Sequence, residues 1–164
     1  METRLIQQDI WQLLEQVHDP EIPVLSVIDL GIVRDIIPSG DGFEIVITPT
    51  YSGCPAMNTI ETDIRLLMQE HGIPATVRLV LSPAWTTDWM SEKGKQKLKA
   101  YGIAPPENED LSIHALFGKA GKVACPLCGS KNTEMISQFG STACKALYKC
   151  KDCLEPFDYF KCLK

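Results

Sequence analysis

A chain of 164 residues, 45% of them hydrophobic, can bury one ordinary core, or one domain of about 100 residues beside a small module. Its net charge of −5 is divided unevenly: residues 1–121 hold 9 Lys+Arg against 17 Asp+Glu, a net of −8, and residues 122–164 hold 7 against 4, a net of +3. No apolar run approaches the ~18 residues of a membrane span, an acidic body disfavours phosphate backbones, and METRLIQQDI lacks the basic-then-apolar pattern of a secretory leader, so a cytoplasmic protein with no membrane or nucleic-acid partner is expected.

Ile6, Ile10, Leu13, Leu14 and Val17 recur at helical spacing and predict an amphipathic helix over residues 3–17, ended by His18-Asp19-Pro20. DPEIPVLSVIDLG (19–31) has two prolines and no clean period, so it reads as a long ordered loop. Ile32–Ile37 and Phe43–Thr48 are strand-like and joined by SGDG, a hairpin signal; Phe43, Ile45 and Ile47 give the second strand one buried face. TPTYSGCPA (48–56) leads into a helix marked by Met57, Ile60, Ile64, Leu67 and Met68 and closed by His71-Gly72. Val77, Leu79 and Leu81 alternate along a third strand, and a short helix over residues 91–101 follows the aromatic loop LSPAWTTDWMS. In that loop, core packing of at least one of Trp85 and Trp89 is the expectation. The order α-β-β-α-β-α predicts an α+β domain with a small mixed sheet over residues 1–102, then a linker at 103–122 and a cysteine-rich module at 123–164.

Six of the seven cysteines fall in that module. CPLCGS and CKDC form two Cys-x-x-Cys pairs separated by 21 residues, and the strand-like sequence between them can fold as a hairpin that brings the pairs together. Four thiolates in tetrahedral geometry favour zinc, so Cys125, Cys128, Cys150 and Cys153 are read as a structural zinc ribbon; an iron–sulfur cluster is the alternative that four thiolates leave open. Burial alone cannot hold a module of about 40 residues, so the metal is expected to supply much of its folding energy. Cys144 and Cys162 are left over; they read as small packing residues, with a functional thiol as the alternative.

Cys54 is different. It stands alone between Gly53 and Pro55 where a strand gives way to a helix. A thiol at or near the N-cap faces free N–H groups and the positive end of the helix dipole, which predicts a lowered pKa and an enriched thiolate, with Thr50, Tyr51 and Ser52 as further donors; the alternative is a buried cysteine chosen for its size. No histidine lies in the loop, so a thiol-protease reading lacks its base. Asp19 and Glu21 are either a carboxylate pair lining the same pocket or, for Asp19, a turn cap. The histidines at 18, 71 and 114 form no cluster. The chain shows no two-His-one-carboxylate set, no di-iron Glu-x-x-His pair and no glycine-rich nucleotide loop, so it is not expected to be a catalyst of its own.

The stretch VHDPEIPVLSVIDLGIVRDI (17–36) followed by TYSGCPAM (50–57) resembles the small domain shared by SufT and related iron–sulfur assembly factors: the DPE loop is Asp19-Pro20-Glu21, the Leu-Gly pair Leu30-Gly31, the Gly-Cys-Pro turn Gly53-Cys54-Pro55. SPAWTTDWMSEKGKQKLKAYGIAPP (82–106), FGSTACKALYKC (139–150) and PFDYFKC (156–162), with the two Cys-x-x-Cys pairs, extend the resemblance to the PaaD (PaaJ) family of bacterial phenylacetate degradation. That resemblance implies a role tied to the multicomponent phenylacetyl-CoA monooxygenase (epoxidase). It points either to an accessory factor that helps assemble the iron–sulfur cluster of the reductase component, or to a stoichiometric non-catalytic subunit. It carries the key role to Cys54, with Asp19, Glu21 and Thr50 as the supporting loop. One thiolate cannot complete a transient cluster, so a second copy, glutathione or a client would have to supply the other ligands, which makes a homodimer or a client complex the expectation.

Overall fold

The computed structural model describes residues 7–106 and 123–161. Their elements run α1 (Gln7–Leu14), β1 (Val33–Ser39), β2 (Gly42–Ile47), α2 (Ala56–Glu70), β3 (Ala75–Leu79), a 3-10 turn at Thr87–Trp89, α3 (Glu92–Ala100), β4 (Ile103–Ala104), β5 (Thr133–Ser137), β6 (Lys145–Cys150) and β7 (Pro156–Phe160). The expected α-β-β-α-β-α order and the α+β class are present. Two compact units divide between Gly94 and Lys95. Among the described residues no helix is long and apolar enough to cross a membrane.

The first unit is built on a mixed sheet of order β1-β2-β3, antiparallel between β1 and β2 and parallel between β2 and β3. Gly40 takes φ +59° at the first position of the two-residue loop that closes the β1–β2 hairpin, a conformation the tight turn demands. Helix α1 packs against β1 and α2 against β3. Ile10, Leu14, Ile60 and Ile64 from the helices and Ile36, Ile45 and Ile47 from the strands are all fully buried. Each contributes about 1.5–3 kcal/mol of transfer free energy, which is why the helical and the alternating apolar patterns were visible at all. Val46 is buried as well, at 5% exposure, so β2 is covered on both faces rather than on one as the alternation predicted. Helix α2 ends in a Schellman motif: the Gly72 N–H donates to the Gln69 carbonyl at 3.0 Å and the Ile73 N–H to the Met68 carbonyl at 2.9 Å, with Gly72 at φ +66°.

Three boundaries differ from the sequence reading. Described α1 stops at Leu14 rather than 17, because the Val17 N–H turns back to the Leu14 carbonyl and the chain then enters the DPE loop; the predicted start at residue 3 lies outside the described residues. Strand β3 stops at Leu79, and Leu81 is 57% exposed. Ile103–Ala104, expected to open a linker, is instead a strand paired in parallel with β7. The rest of that linker from 107 onward lies outside the described residues.

The second unit holds a sheet of order β4-β7-β6-β5. The predicted hairpin is β5–β6; β7 adds antiparallel to β6. Its core is Ala104, Val123, Ala146, Tyr148, Phe157 and Tyr159, closed at one end by Cys125 and Cys150. Tyr148 stacks on Phe157 at 5.8 Å and meets Tyr159 edge-on at 5.7 Å.

Candidate functional site

The loop at 17–31 is held shut by its own backbone. The Val27 N–H donates to the Val17 carbonyl, the Asp19 N–H to the Leu25 carbonyl, and His18 bridges to Ser26. Ile22, Leu25, Val27 and Leu30 are buried, which supplies the anchoring that a period-free sequence does not advertise. Asp19, 7% exposed, accepts the Glu21 and Ile22 N–H groups on Oδ1 at 2.7 and 3.1 Å, so it does cap a turn. Asp29 makes a reciprocal pair with Ser26: its Oδ2 accepts the Ser26 N–H and its N–H donates to Ser26 Oγ. Asp29 also ties in the start of α3, because the Ser91 N–H donates to its carbonyl at 2.9 Å and Ser91 Oγ lies 3.3 Å from Oδ1. Trp85 is buried and donates its indole N–H to the Leu30 carbonyl at 2.7 Å. An extra residue in β1 opposite Val46 and Ile47 re-aims Arg34, whose guanidinium stacks 3.4 Å over the Trp89 ring.

The Cys54 turn follows β2. The Cys54 N–H closes on the Tyr51 carbonyl at 3.3 Å with Gly53 at φ +79°, the pattern of a type II turn, in which only glycine sits without strain at the third position. Pro55 is the cap of α2 and is helical itself, at φ −68°, ψ −23°, so Cys54 stands one position before the cap. Cys54 and Thr50 are each 9% exposed.

The structure brings Asp19, Glu21 and Cys54 into one electrostatic neighbourhood, and it corrects the expected ionisation. Burial pushes the Cys54 thiol above its ordinary value. The Ala56 N–H and the Tyr51 hydroxyl point at the sulfur and pull the other way, and the negative charges of Glu21 and Asp19 push it up again. The net direction is upward, so the resting group is a neutral thiol, not the enriched thiolate that a helix start suggested. Helix-end donors are present; desolvation and two carboxylates outweigh them. Tyr51 enters as a direct contact of the sulfur, whereas the sequence offers it only as one of several neighbouring donors.

In the second unit, the sulfurs of Cys125, Cys128, Cys150 and Cys153 all lie within 4.8 Å of one another. The Cys125–Cys153 and Cys128–Cys150 separations are 3.8 and 3.6 Å. A tetrahedron with metal–sulfur bonds of about 2.3 Å has edges of about 3.8 Å, so the spacing fits one tetrathiolate ion. Both pairs sit on matching knuckles. The Cys125 N–H donates to the Ser130 carbonyl and the Cys150 N–H to the Glu155 carbonyl. Gly129 at φ +77° turns the first knuckle; Leu154 at φ +67° turns the second. The thiols of Cys128, Cys150 and Cys153 influence one another's protonation. N–H groups of Cys153 and Asp152 help hold Cys150 down to about 7. The Glu155 N–H acts the same way on Cys153, but desolvation and the sulfurs of Cys150, Cys128 and Cys125 push it up to about 12. A divalent ion bound by the four sulfurs would displace their protons. Among the described residues no other group of ligating side chains gathers this closely. Cys144 is buried at 4% exposure with Thr142 Oγ1 3.1 Å from its sulfur, and Cys162 lies outside the described residues.

Known proteins match both units. A family model described as an iron–sulfur cluster assembly protein covers residues 7–72, and one described as a PaaD zinc beta ribbon domain covers residues 110–161. An Escherichia coli (strain K12) protein named as a subunit of a "Putative 1,2-phenylacetyl-CoA epoxidase" is 51% identical over 156 residues, 94% of this chain and 92% of that one. A "Fe-S protein maturation auxiliary factor" of Porphyromonas gingivalis (strain ATCC BAA-308 / W83) is 36% identical over 95 residues, 56% of this chain and 90% of that one. Among solved structures, a domain of unknown function from Bacillus anthracis superposes with a TM-score of 0.52 at 27% identity, over 56% of this chain and 90% of that one. A conserved hypothetical protein from Thermotoga maritima does so with a TM-score of 0.50 at 29% identity, over 60% and 98%.

Proposed function

This chain, in which an iron–sulfur assembly domain precedes a PaaD zinc ribbon, belongs to the same family as the E. coli protein named as a subunit of a putative 1,2-phenylacetyl-CoA epoxidase, and from that premise we propose that it is an accessory factor of the phenylacetyl-CoA epoxidase system that assists iron–sulfur assembly in the reductase component. What supports this reading most is that the 51% identity covers 94% of the chain and so runs through both units, while 56% of the chain is 36% identical to a protein named for iron–sulfur maturation.

The chemistry of the Cys54 loop is consistent with it. A neutral, enclosed thiol is inert toward stray electrophiles and oxidants at rest. An incoming iron ion or cluster would be met by two carboxylates that favour positive charge, and binding at sulfur would release the thiol proton; the Tyr51 hydroxyl and the Ala56 N–H would then stabilise the sulfur's negative charge. Iron or cluster is cargo here, and the remaining ligands come from a client or a second copy. The ribbon would hold one zinc ion as structure, with Cys125, Cys128, Cys150 and Cys153 as its ligands.

The test is to produce the oxygenase components with and without this protein and to measure iron and acid-labile sulfide in the purified reductase component. Low iron without it, restored by the wild type and not by Cys54→Ala, is the expected result. The relative's designation as a subunit favours a second reading, a stoichiometric non-catalytic component. Full iron in both samples, with activity still dependent on a stable complex, would establish that reading and end the first.

A further inference from the structure

Beyond the sulfurs, a second set of contacts joins the two knuckles. Asp152 lies between Cys150 and Cys153 in the second knuckle. Its Oδ2 accepts a hydrogen bond from Ser130 Oγ, and its Oδ1 accepts one from Asn132 Nδ2 at 2.9 Å. Ser130 Oγ in turn accepts the Asn132 N–H at 3.0 Å, and the Lys151 N–H donates to the Asn132 carbonyl at 2.8 Å. Ser130 and Asn132 follow immediately on the first knuckle. The side-chain contacts therefore cross from one Cys-x-x-Cys turn to the other without using a sulfur, and one carboxylate sits at their centre with both oxygens engaged.

An ion held by four thiolates, two from each knuckle, would leave most readily when one knuckle swings away from the other. That motion breaks both bonds to Asp152 together with the metal–sulfur bonds. We propose that Asp152, gripped by Ser130 and Asn132, is a latch that governs how fast the metal leaves the four-cysteine site, a positioning role exerted on Cys150 and Cys153. This rests on reading the four cysteines as a metal site. Asp152 is exposed, as is Asn132, so water competes for these bonds and the latch contributes to retention of the ion more than to folding. Hydrogen bonds to an ionised acceptor are the stronger kind, and contacts that orient ligands from outside a metal's own shell commonly change affinity by 10–100-fold when removed.

The full chain, loaded with zinc, is mixed with a chromogenic chelator and the transfer followed by absorbance; a cobalt(II)-loaded sample reports the ligand set through its thiolate-to-cobalt absorption. Asp152→Ala is expected to release zinc about 10–100-fold faster with an unchanged cobalt spectrum. Asp152→Asn, which keeps one acceptor oxygen, should fall between that and the wild type. Ser130→Ala should also speed release, and the Ser130→Ala/Asp152→Ala double variant should be no faster than Asp152→Ala, because Ser130 acts through the carboxylate. A wild-type rate in Asp152→Ala, or effects of the two single changes that multiply in the double, overturns the latch. If Asp152→Ala fails to assemble the cobalt site, unchanged rates in Ser130→Ala and Asp152→Asn overturn it instead, and accelerated ones sustain it. A wild-type chain without a tetrathiolate cobalt spectrum removes the metal site and the latch with it, a failure recognisable because it appears before any variant is made.

Discussion

Cys54 keeps its proton at neutral pH because burial and the charges of Glu21 and Asp19 outweigh the Ala56 N–H and the Tyr51 hydroxyl. Between the two carboxylates Glu21 has the larger influence, so Glu21→Gln should lower the thiol's pKa and raise its alkylation rate by iodoacetamide about threefold at pH ~7.5. Quantitative mass spectrometry of the Cys54 peptide measures it; a slower or unchanged rate would place the Glu21 charge away from the sulfur. The sign carries over to stability. An acid whose folded pKa is raised favours the fold below its unfolded pKa, and that contribution is lost as pH rises past about 9, where the unfolded chain ionises first. An isolated cysteine in a Gly-Cys-Pro turn, with Asp19 and Glu21 upstream, was legible in the sequence as residue types. Its protonation was not, because that depends on how deeply the turn is buried and on carboxylates that arrive from more than thirty positions away. The donors at the helix start are real, and they are the weaker of two competing effects.

Among the elements, the two knuckles and the loop at 17–31 show what local sequence does and does not disclose. The Cys-x-x-Cys spacing and the strand-like sequence between the two pairs announced the β5–β6 hairpin, whereas β4, only two residues long, has no period to detect and exists through its pairing with β7. Leu154 adopts φ +67° where the matching turn has Gly129, and 66% of its surface is exposed. The left-handed conformation costs a leucine about 1–2 kcal/mol, so Leu154→Gly should stabilise the metal-loaded second knuckle by about 1 kcal/mol after the extra freedom of glycine in the unfolded chain is counted. Denaturant unfolding monitored by Tyr148 and Tyr159 fluorescence would register it as a higher midpoint. Gly31 is the opposite case: at φ +70°, a Cβ would lie 2.2 Å from the Trp89 carbonyl oxygen. Gly31→Ala therefore strains the backbone and pushes the Trp85–Trp89 segment off the loop, a loss of about 3 kcal/mol or more in the first unit, measurable by thermal or urea unfolding.

At the scale of the whole chain, the stability of the two units comes from different sources. The first has a core built largely of fully buried aliphatic side chains, whereas the second has a small aromatic cluster beside its four gathered cysteines. Structural zinc contributes on the order of 10–16 kcal/mol in comparable small sites. Exhaustive chelation should therefore unfold the unit that starts at Lys95 and leave the unit ending at Gly94 folded, seen as loss of β-sheet ellipticity, rapid proteolysis confined to the C-terminal part and a surviving cooperative melt. Cys128→Ser should give the same pattern, and unchanged metal content with unchanged protease resistance would refute the metal-dependent ribbon. Composition foresaw the asymmetry through charge and cysteine count, which are additive properties of sequence, but placed the first residue of the C-terminal sheet too late.

That misplaced residue has a practical side. The C-terminal sheet begins at Ile103, well before its first cysteine, and β4 covers the edge of β7. A fragment that starts at Val123 keeps all four clustered cysteines and still exposes the unpaired backbone of β7, the kind of naked edge along which chains associate. Ribbons exchanged between relatives would therefore have to travel with the segment from Ile103 onward, and a seam chosen by the cysteines alone would cut through the sheet rather than between two modules.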